Sequence, residues 1–196
     1  GLNKSKNVLD STTAMEQVIA PEKIVIIGAG YIGLEFASMF NSYGSKVSIL
    51  DASSEFLPRE DEDISTLIYK DFLDKGIDIQ LGVSINHIID KDNYTEVIYT
   101  QAGKIKKVEV SKLLVATGRK PNTDTLGLEN TNIKTDSHGA IVVDEFLKTS
   151  VENIWAIGDV KGGLQFTYMS LDDYRIIVDY LYGDKKRNIM NRGNIP

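Results

Sequence analysis

A glycine-rich turn between a strand-like run and a helix-like run constrains this chain more than any other feature. The stretch from Lys23 to Phe40 reads KIVIIGAGYIGLEFASMF. Its first, β-branched part is typical of a strand buried on both faces, and the apolar residues after the glycines have helical spacing. In that context the pattern Gly28-x-Gly30-x-x-Gly33 indicates a turn that binds a dinucleotide, although a glycine turn can also simply close a strand–helix unit.

Each glycine of the turn has its own reason to lack a side chain. Gly28 can adopt the positive φ of a tight turn, Gly30 lets a pyrophosphate approach the backbone, and Gly33 lets the helix lie close to its strand. The exposed N–H groups and the helix dipole then favour phosphate oxygens. The predicted cofactor-binding turn also includes Ala29, Tyr31 and Ile32.

An acidic residue at the end of the second predicted strand completes the pattern. Asp51 directly follows KVSIL, and an acid is expected about 20 residues beyond such a glycine turn. Its carboxylate would accept hydrogen bonds from both ribose hydroxyls of NAD and would repel the 2′-phosphate of NADP. Residues 52–54 include no arginine that would neutralise such a phosphate. The sequence therefore favours NAD(H).

Strand and helix patterns alternate through the first part of the chain, which predicts a right-handed parallel βαβαβ unit. The runs SINHIID, TEVIYTQ and KIKKVEV then alternate apolar with polar residues, as in an antiparallel meander, and SKLLVATG would rejoin the parallel sheet. The expected fold class is α/β, a Rossmann-like parallel sheet with a three-stranded antiparallel meander. The predicted strands are 24–27, 46–50 and 77–81, and the predicted helices are 31–43 and 63–75.

The last third of the sequence has no obvious closed core of its own. Residues 119–138 have a loop-like composition, whereas AIVVDEFL and IWAIGD predict strands and LDDYRIIVDYLYG predicts a helix. We expect this part to belong to a domain whose remainder lies elsewhere.

The composition of the chain argues against several classes of function. The 196 residues include no cysteine and only His87 and His138, so neither a thiol redox centre nor a thiolate or His-rich metal site is expected. A net charge of −6 argues against nucleic-acid and anionic-membrane partners. No apolar run approaches the roughly 20 residues that span a bilayer. The N-terminus lacks a signal-peptide pattern, and we expect a cytoplasmic protein.

Three stretches carry a family resemblance. GYIGLEFASMF, LVATGRKPNTDTLGLE and TSVENIWAIGDV occur in the order and spacing of the flavoprotein (class I pyridine nucleotide-disulfide) oxidoreductases, which include dihydrolipoamide dehydrogenase, glutathione reductase and mercuric reductase. The ending GGLQFTYMSLDDYRIIVDYLYG is most similar to a mercuric-reductase-like branch that includes bacterial hypothiocyanous acid reductases.

The resemblance implies a division of the chain into four parts. Residues 1–20 would be a connecting segment, 21–118 the NAD(H)-binding domain, 119–183 an incomplete C-terminal part of the FAD-binding domain, and 184–196 the start of a linker to a dimerisation domain. The family's FAD glycine loop, Cys-x4-Cys pair and His–Glu pair have no counterpart here. The chain therefore resembles a central fragment, expected to be inactive alone, whose partners are the remainder of the FAD domain and the dimerisation domain of a homodimer.

Several site residues on the NAD side follow from the resemblance. Tyr31 matches an aromatic residue that covers the nicotinamide pocket, and Glu35 matches an acid that pairs with a lysine near the flavin. Because an acid in an apolar helix is costly to bury unpaired, a purely structural role for Glu35 is less favourable. Val83 would lie against adenine, and Gly118 would border the nicotinamide. Ordinary packing is the alternative for Tyr31, Val83 and Gly118.

The FAD side of the resemblance rests on TSVENIWAIGDV and the residues that follow it. Asp159 would accept a hydrogen bond from a ribitol hydroxyl, and Gly158 would let the flavin chain pass. A helix would begin at Gln165, Phe166 and Thr167 and direct its amides at the flavin pyrimidine. A Gly-Asp pair after a strand is otherwise a common turn.

The implied reaction is hydride transfer from NADH to FAD, then electron passage to a disulfide and a substrate. Two alternatives remain open from the residues. One is a flavoprotein without a cysteine pair, such as an NADH oxidase or a ferredoxin-type reductase. The other is a stand-alone Rossmann module that senses a nucleotide and regulates a partner.

Overall fold

The structure, a computed structural model, describes residues 5–193. The chain divides into two compact units, residues 1–118 and 119–196. The first unit is built on a five-stranded sheet, whose strands are β1 (Val8–Leu9), β2 (Lys23–Ile27), β3 (Lys46–Leu50), β4 (Asp78–Gln80) and β8 (Lys112–Val115). Their order in the sheet is β1-β8-β2-β3-β4, and every neighbouring pair is parallel.

Two helices follow the first strands of the βαβ pattern, α2 (Tyr31–Ser42) and α3 (Glu62–Asp74). One face of the parallel sheet packs with these helices around Ile24, Ile26 and Phe40, all almost fully buried. Since side chains alternate along a strand, Val25 and Ile27 lie on the opposite face. The near-continuous apolar run of β2 is therefore explained by burial on both faces.

A three-stranded antiparallel meander covers the second face of the parallel sheet. It consists of β5 (Val83–Asp90), β6 (Thr95–Gln101) and β7 (Lys104–Val110). Val97 and Val110 of the meander pack with Val25 and Leu113 of the parallel sheet in one buried cluster. The predicted α/β fold with its parallel sheet and meander is confirmed.

The N-terminal segment contains elements that the sequence analysis did not predict. β1 pairs with β8 at the edge of the parallel sheet, and the short helix α1 (Ser11–Met15) follows it. The carboxylate of Asp10 accepts the Thr13 backbone N–H at 2.8 Å, and the Asp10 backbone N–H donates in turn to the Thr13 hydroxyl at 2.9 Å. This capping box explains how so short a helix begins. A strand of two residues is too short to show a hydrophobic period.

A buried asparagine ties this N-terminal strand to the meander. The Asn7 side chain donates to the Asp90 carboxylate at 3.1 Å and to the Lys91 carbonyl at 2.6 Å. Asn7 is 3% exposed. The pKa of the Asp90 carboxyl is lowered, first by a hydrogen bond with Ser5 and further by hydrogen bonds from Asn7 and Thr95. Desolvation raises this pKa and offsets part of the lowering. The network keeps this carboxylate charged.

Replacing Asn7 with alanine is expected to lower the free energy of unfolding by about 1–3 kcal/mol, because it removes a buried side chain together with the two hydrogen bonds that the side chain donates. Chemical denaturation measures the change. Asn86→Ala is the matched control, since Asn86 is exposed and its side chain accepts a hydrogen bond from the Thr100 hydroxyl across the meander surface. Equal stability of the two variants would contradict the prediction.

The second unit is dominated by one long helix, α4 (Thr167–Tyr182), which confirms the predicted helix and extends it towards its N-terminus. The strands predicted from AIVVDEFL and IWAIGD are wrong. In their place the structure has two isolated bridges, Thr135 to Ile141 and Lys148 to Trp155. Short 3₁₀ helices lie at Leu128–Asn130, Gly158–Lys161 and Ile189–Asn191.

A side-chain turn explains why the strand predicted from AIVVDEFL does not form. The carboxylate of Asp144 accepts the backbone N–H groups of Phe146 and Lys148, both at 2.9 Å. Leu147, between them, has φ +66. Aspartate that bonds its own following backbone offers an alternative to a strand ladder. Alternating apolar residues therefore enter a turn here rather than an extended strand.

Candidate functional site

The glycine turn between β2 and α2 is as tight as its sequence predicts. Gly28 has φ +110, and a Cβ there would collide with the backbone carbonyl of Ala116. A Cβ on Gly33 would overlap the carbonyl oxygen of Gly28, which shows how closely the helix approaches the end of its strand. Both glycines are therefore required by the fold itself.

Gly30 differs from the other two glycines because no described residue explains it. Its φ of −76 is open to any residue, and apart from its two chain neighbours no described residue has an atom within 4 Å of the position that a Cβ would take. Gly30 is also the N-cap of α2, and glycine brings no side chain to cap the first amides of the helix. Such a helix start presents N–H groups and the positive end of the dipole to an anion.

Asp51 lies beside the glycine turn, at the carboxyl end of β3. One carboxylate oxygen accepts the Ala29 backbone N–H at 2.5 Å, and the other accepts the Ser53 N–H at 2.7 Å. Its own backbone bonds to Gln80 and to Val83. Each carboxylate oxygen has a second acceptor position, so the side chain can still receive ribose hydroxyls. The sequence did not predict that Asp51 would also hold the glycine turn in place.

Tyr31, the first residue of α2, makes a contact that the sequence did not predict. Its hydroxyl donates to the Glu60 carboxylate, which belongs to the loop after β3. This hydrogen bond, reinforced by burial and by the charge of Glu60, raises the pKa of the Tyr31 hydroxyl. The ring remains 49% exposed. No spacing rule relates residues 31 and 60, so only the folded chain reveals this pair.

The other predicted NAD-side residues occupy different environments. Gly118, three residues after β8, is exposed, and Ala116, two residues before it, abuts Gly28. Val83 is buried in the contact between the sheet and the meander, and its N–H bonds to Asp51. Glu35 is exposed on α2, so the argument from its burial cost does not hold for this chain. Ala29 is buried and Ile32 half-buried in the turn.

The second unit carries the predicted FAD-side residues. Gly158 has φ +67, and the Asp159 carboxylate, 36% exposed, forms an ion pair of 2.6 Å with Arg119. Arg119 was not predicted as a site residue, although it lies in the LVATGRKPNTDTLGLE stretch. This arginine orients Asp159 while leaving part of the carboxylate open to solvent.

α4 begins close to this turn in sequence. Thr167 is its first residue, Phe166 is the N-cap, and Gln165 is half-buried. Phenylalanine has no polar side-chain atom that could cap the helix. A flavin fits these residues, since the open Asp159 carboxylate and the positive φ of Gly158 suit a polar chain passing close to backbone. The predicted helix start at Gln165 to Thr167 agrees with the structure to within two residues.

Comparison with known proteins identifies the family. The profile of the pyridine nucleotide-disulphide oxidoreductases matches residues 1–173. The chain belongs to this family, whose members are flavoproteins that use FAD and NAD(P)H.

Named relatives include a probable pyridine nucleotide-disulfide oxidoreductase, RclA, from Escherichia coli, which is 47% identical over all of this chain and 44% of its own length. A mercuric reductase from Lysinibacillus sphaericus is 35% identical over 96% of this chain and 34% of its own length. The solved structure of the HOCl-induced flavoprotein disulfide reductase RclA from E. coli matches with a TM-score of 0.90, over 100% of this chain and 44% of that one. The chain thus spans less than half the length of these relatives.

Between residues 5 and 193, no helix has the length and apolar character needed to cross a membrane.

Proposed function

We propose that this chain forms the NAD(H)-binding part of an FAD-dependent disulfide oxidoreductase and positions the nicotinamide against the flavin. The observation that carries the proposal is Gly30. Its lack of a side chain has no explanation in φ or in packing among the described residues, whereas a pyrophosphate at the start of α2 would need that space.

The chain's own residues would divide the work of binding. The amides at the start of α2 would bind the pyrophosphate, and Asp51 would receive the adenosine ribose hydroxyls. Tyr31 would cover the nicotinamide site, held by Glu60 until the ring enters. Val83 and Gly118 would border the adenine and nicotinamide, and Glu35 would face the flavin side. When bound, the nicotinamide supplies a hydride and the flavin passes electrons to a disulfide.

Residues 119–183 would complete an FAD site together with the remainder of the FAD domain. There, Asp159 would bind the ribitol chain, with Gly158 providing clearance and Gln165, Phe166 and Thr167 starting the helix that faces the flavin ring. The whole protein would act as a homodimer through a separate dimerisation domain. Without those parts, this chain is expected to bind NADH weakly and to catalyse no reaction.

Calorimetric titration of the protein with NADH and NADPH tests the NAD side. We expect NADH to bind about tenfold or more tightly than NADPH, because the Asp51 carboxylate would repel a 2′-phosphate. Asp51→Ala should weaken NADH binding and bring the ratio of the NADPH and NADH dissociation constants towards one. Glu55→Ala is the control, since it removes an exposed charge of the same sign from the same loop. A tight preference for NADPH, or turnover without an added flavin domain, would refute the proposal.

A further inference from the structure

A buried carboxylate behind the Gly158–Asp159 turn has no part in the function proposed so far. Asp173, on the first half of α4, is fully buried. One of its oxygens accepts the Gly158 backbone N–H at 2.7 Å. The same oxygen lies 3.4 Å from the Lys161 ammonium, while the other oxygen pairs with the guanidinium of Arg192.

Two cations lie beside the Asp173 carboxylate in the interior of the second unit. Both cations are themselves mostly buried, with side chains 10% and 12% exposed for Lys161 and Arg192. A buried charge is tolerated only when it is paired and hydrogen-bonded. Asp173 meets this condition, because its carboxylate accepts a backbone N–H and pairs with both cations. A carboxylate that accepts a backbone N–H forms a stronger bond than a neutral acceptor does. The turn is therefore anchored by a charged group.

The position of Gly158 depends on α4 in a second way. A Cβ on Gly158 would lie 2.6 Å from the Ser170 hydroxyl, so α4 passes directly against this residue. Gly158 also has φ +67, a conformation that glycine adopts readily and residues with a side chain adopt rarely. Its N–H is held by Asp173 one turn further along the same helix. The helix thus sets where the turn, and with it Asp159, lies.

We infer that Asp173 is a positioning residue for flavin binding: through the Gly158 N–H it fixes the turn that presents the Asp159 carboxylate to the ribitol chain. This inference rests on the proposed FAD site. Arg192, from the segment after α4, pairs with the same carboxylate and helps to hold it in place. Because Asp173 is fully buried, it would not itself contact the ligand.

The neighbouring residue Asp172 provides a matched control. It lies on the same helix, is 8% exposed, and pairs with the same arginine, at 3.1 Å from Arg192 Nε. The Gly158 N–H bonds to Asp173, not to Asp172. Changing either aspartate to asparagine removes one buried negative charge from the Arg192 cluster, but only the change at Asp173 alters the support of the turn.

The experiment measures the FAD dissociation constant of the full-length natural protein after removal of its flavin, together with the visible absorption bands of the rebound FAD. Asp173→Asn is expected to raise the FAD dissociation constant about tenfold or more and to shift the bands, as expected for a lost charge-assisted hydrogen bond. Asp172→Asn should stay within about twofold of the wild type. Both variants should keep wild-type affinity for NADH, which reports on the first unit.

Wild-type FAD binding by Asp173→Asn, or an equal loss in Asp172→Asn, would overturn the inference. Circular dichroism of the flavin-free protein shows whether Asp173→Asn folds. If it does not, Asp173→Glu decides, because it keeps the charge for both cations but moves the carboxylate by one methylene from the Gly158 N–H. Asp173→Glu should then weaken FAD binding, and unchanged binding would refute the role. Failure of the wild type to bind FAD would instead refute the proposed FAD site.

Discussion

Alanine at position 30 is expected to cost the protein most of its NADH affinity while leaving its stability nearly unchanged. The new Cβ meets no atom of the described chain, and φ at this position is ordinary. It would stand where the pyrophosphate must approach the start of α2. Losing the hydrogen bonds from backbone N–H groups to a charged phosphate costs about 1.5–3 kcal/mol of binding free energy. This cost corresponds to an increase of about tenfold to a hundredfold in the dissociation constant.

Calorimetric titration with NADH and a thermal melt of the same sample test this prediction together. Alanine is a poorer N-cap than glycine, so the free energy of unfolding should fall by about 1 kcal/mol or less. Gly30→Ala with unchanged NADH affinity would show that the turn closes the βα unit and holds no dinucleotide. That result would remove the main support of the proposed function.

Alanine at position 33 is expected to lower the free energy of unfolding strongly, in contrast to alanine at position 30, whose main effect falls on NADH affinity. Its Cβ would overlap the carbonyl oxygen of Gly28 and contact the Ile26 side chain at 3.5 Å. Because the first obstacle is backbone at the end of β2, it cannot rotate away as a flexible side chain can. Overpacking of this kind costs about 1–3 kcal/mol or more.

Urea denaturation of Gly33→Ala beside Gly30→Ala measures this difference within one turn and one type of substitution. We expect a clearly lower midpoint for Gly33→Ala, with α2 displaced from β2. NADH affinity should also fall, since the displaced helix no longer directs its first amides at the turn. A midpoint equal to that of Gly30→Ala would show that α2 moves at little cost and that Gly33 is not required for close packing.

Local patterns predicted the first unit well. The spacing of Gly28, Gly30 and Gly33, the β-branched run of β2 and the three alternating meander strands each depend on residues close together in the chain. Strand and helix periods act over such short ranges, and the structure reproduces them with bounds within about two residues. The same rules failed at AIVVDEFL, where the Asp144 carboxylate accepts the N–H groups that follow it and a turn replaces the strand ladder. They also failed at IWAIGD, where Trp155 forms an isolated bridge with Lys148.

The sequence alone thus determined the class of fold and the position of a glycine turn followed by an acid, because φ preferences and side-chain periods are properties of short segments. Tertiary structure decided which of these residues act together. It placed the Asp51 carboxylate on the Ala29 N–H, the Tyr31 hydroxyl on Glu60, and Asp173 behind Gly158. These contacts join residues 15 to 29 positions apart, and no local period relates them. Only the folded chain brings these polar groups within hydrogen-bond distance, and burial makes the pairing necessary for the fully buried Asp173, whereas about half of Tyr31 stays exposed.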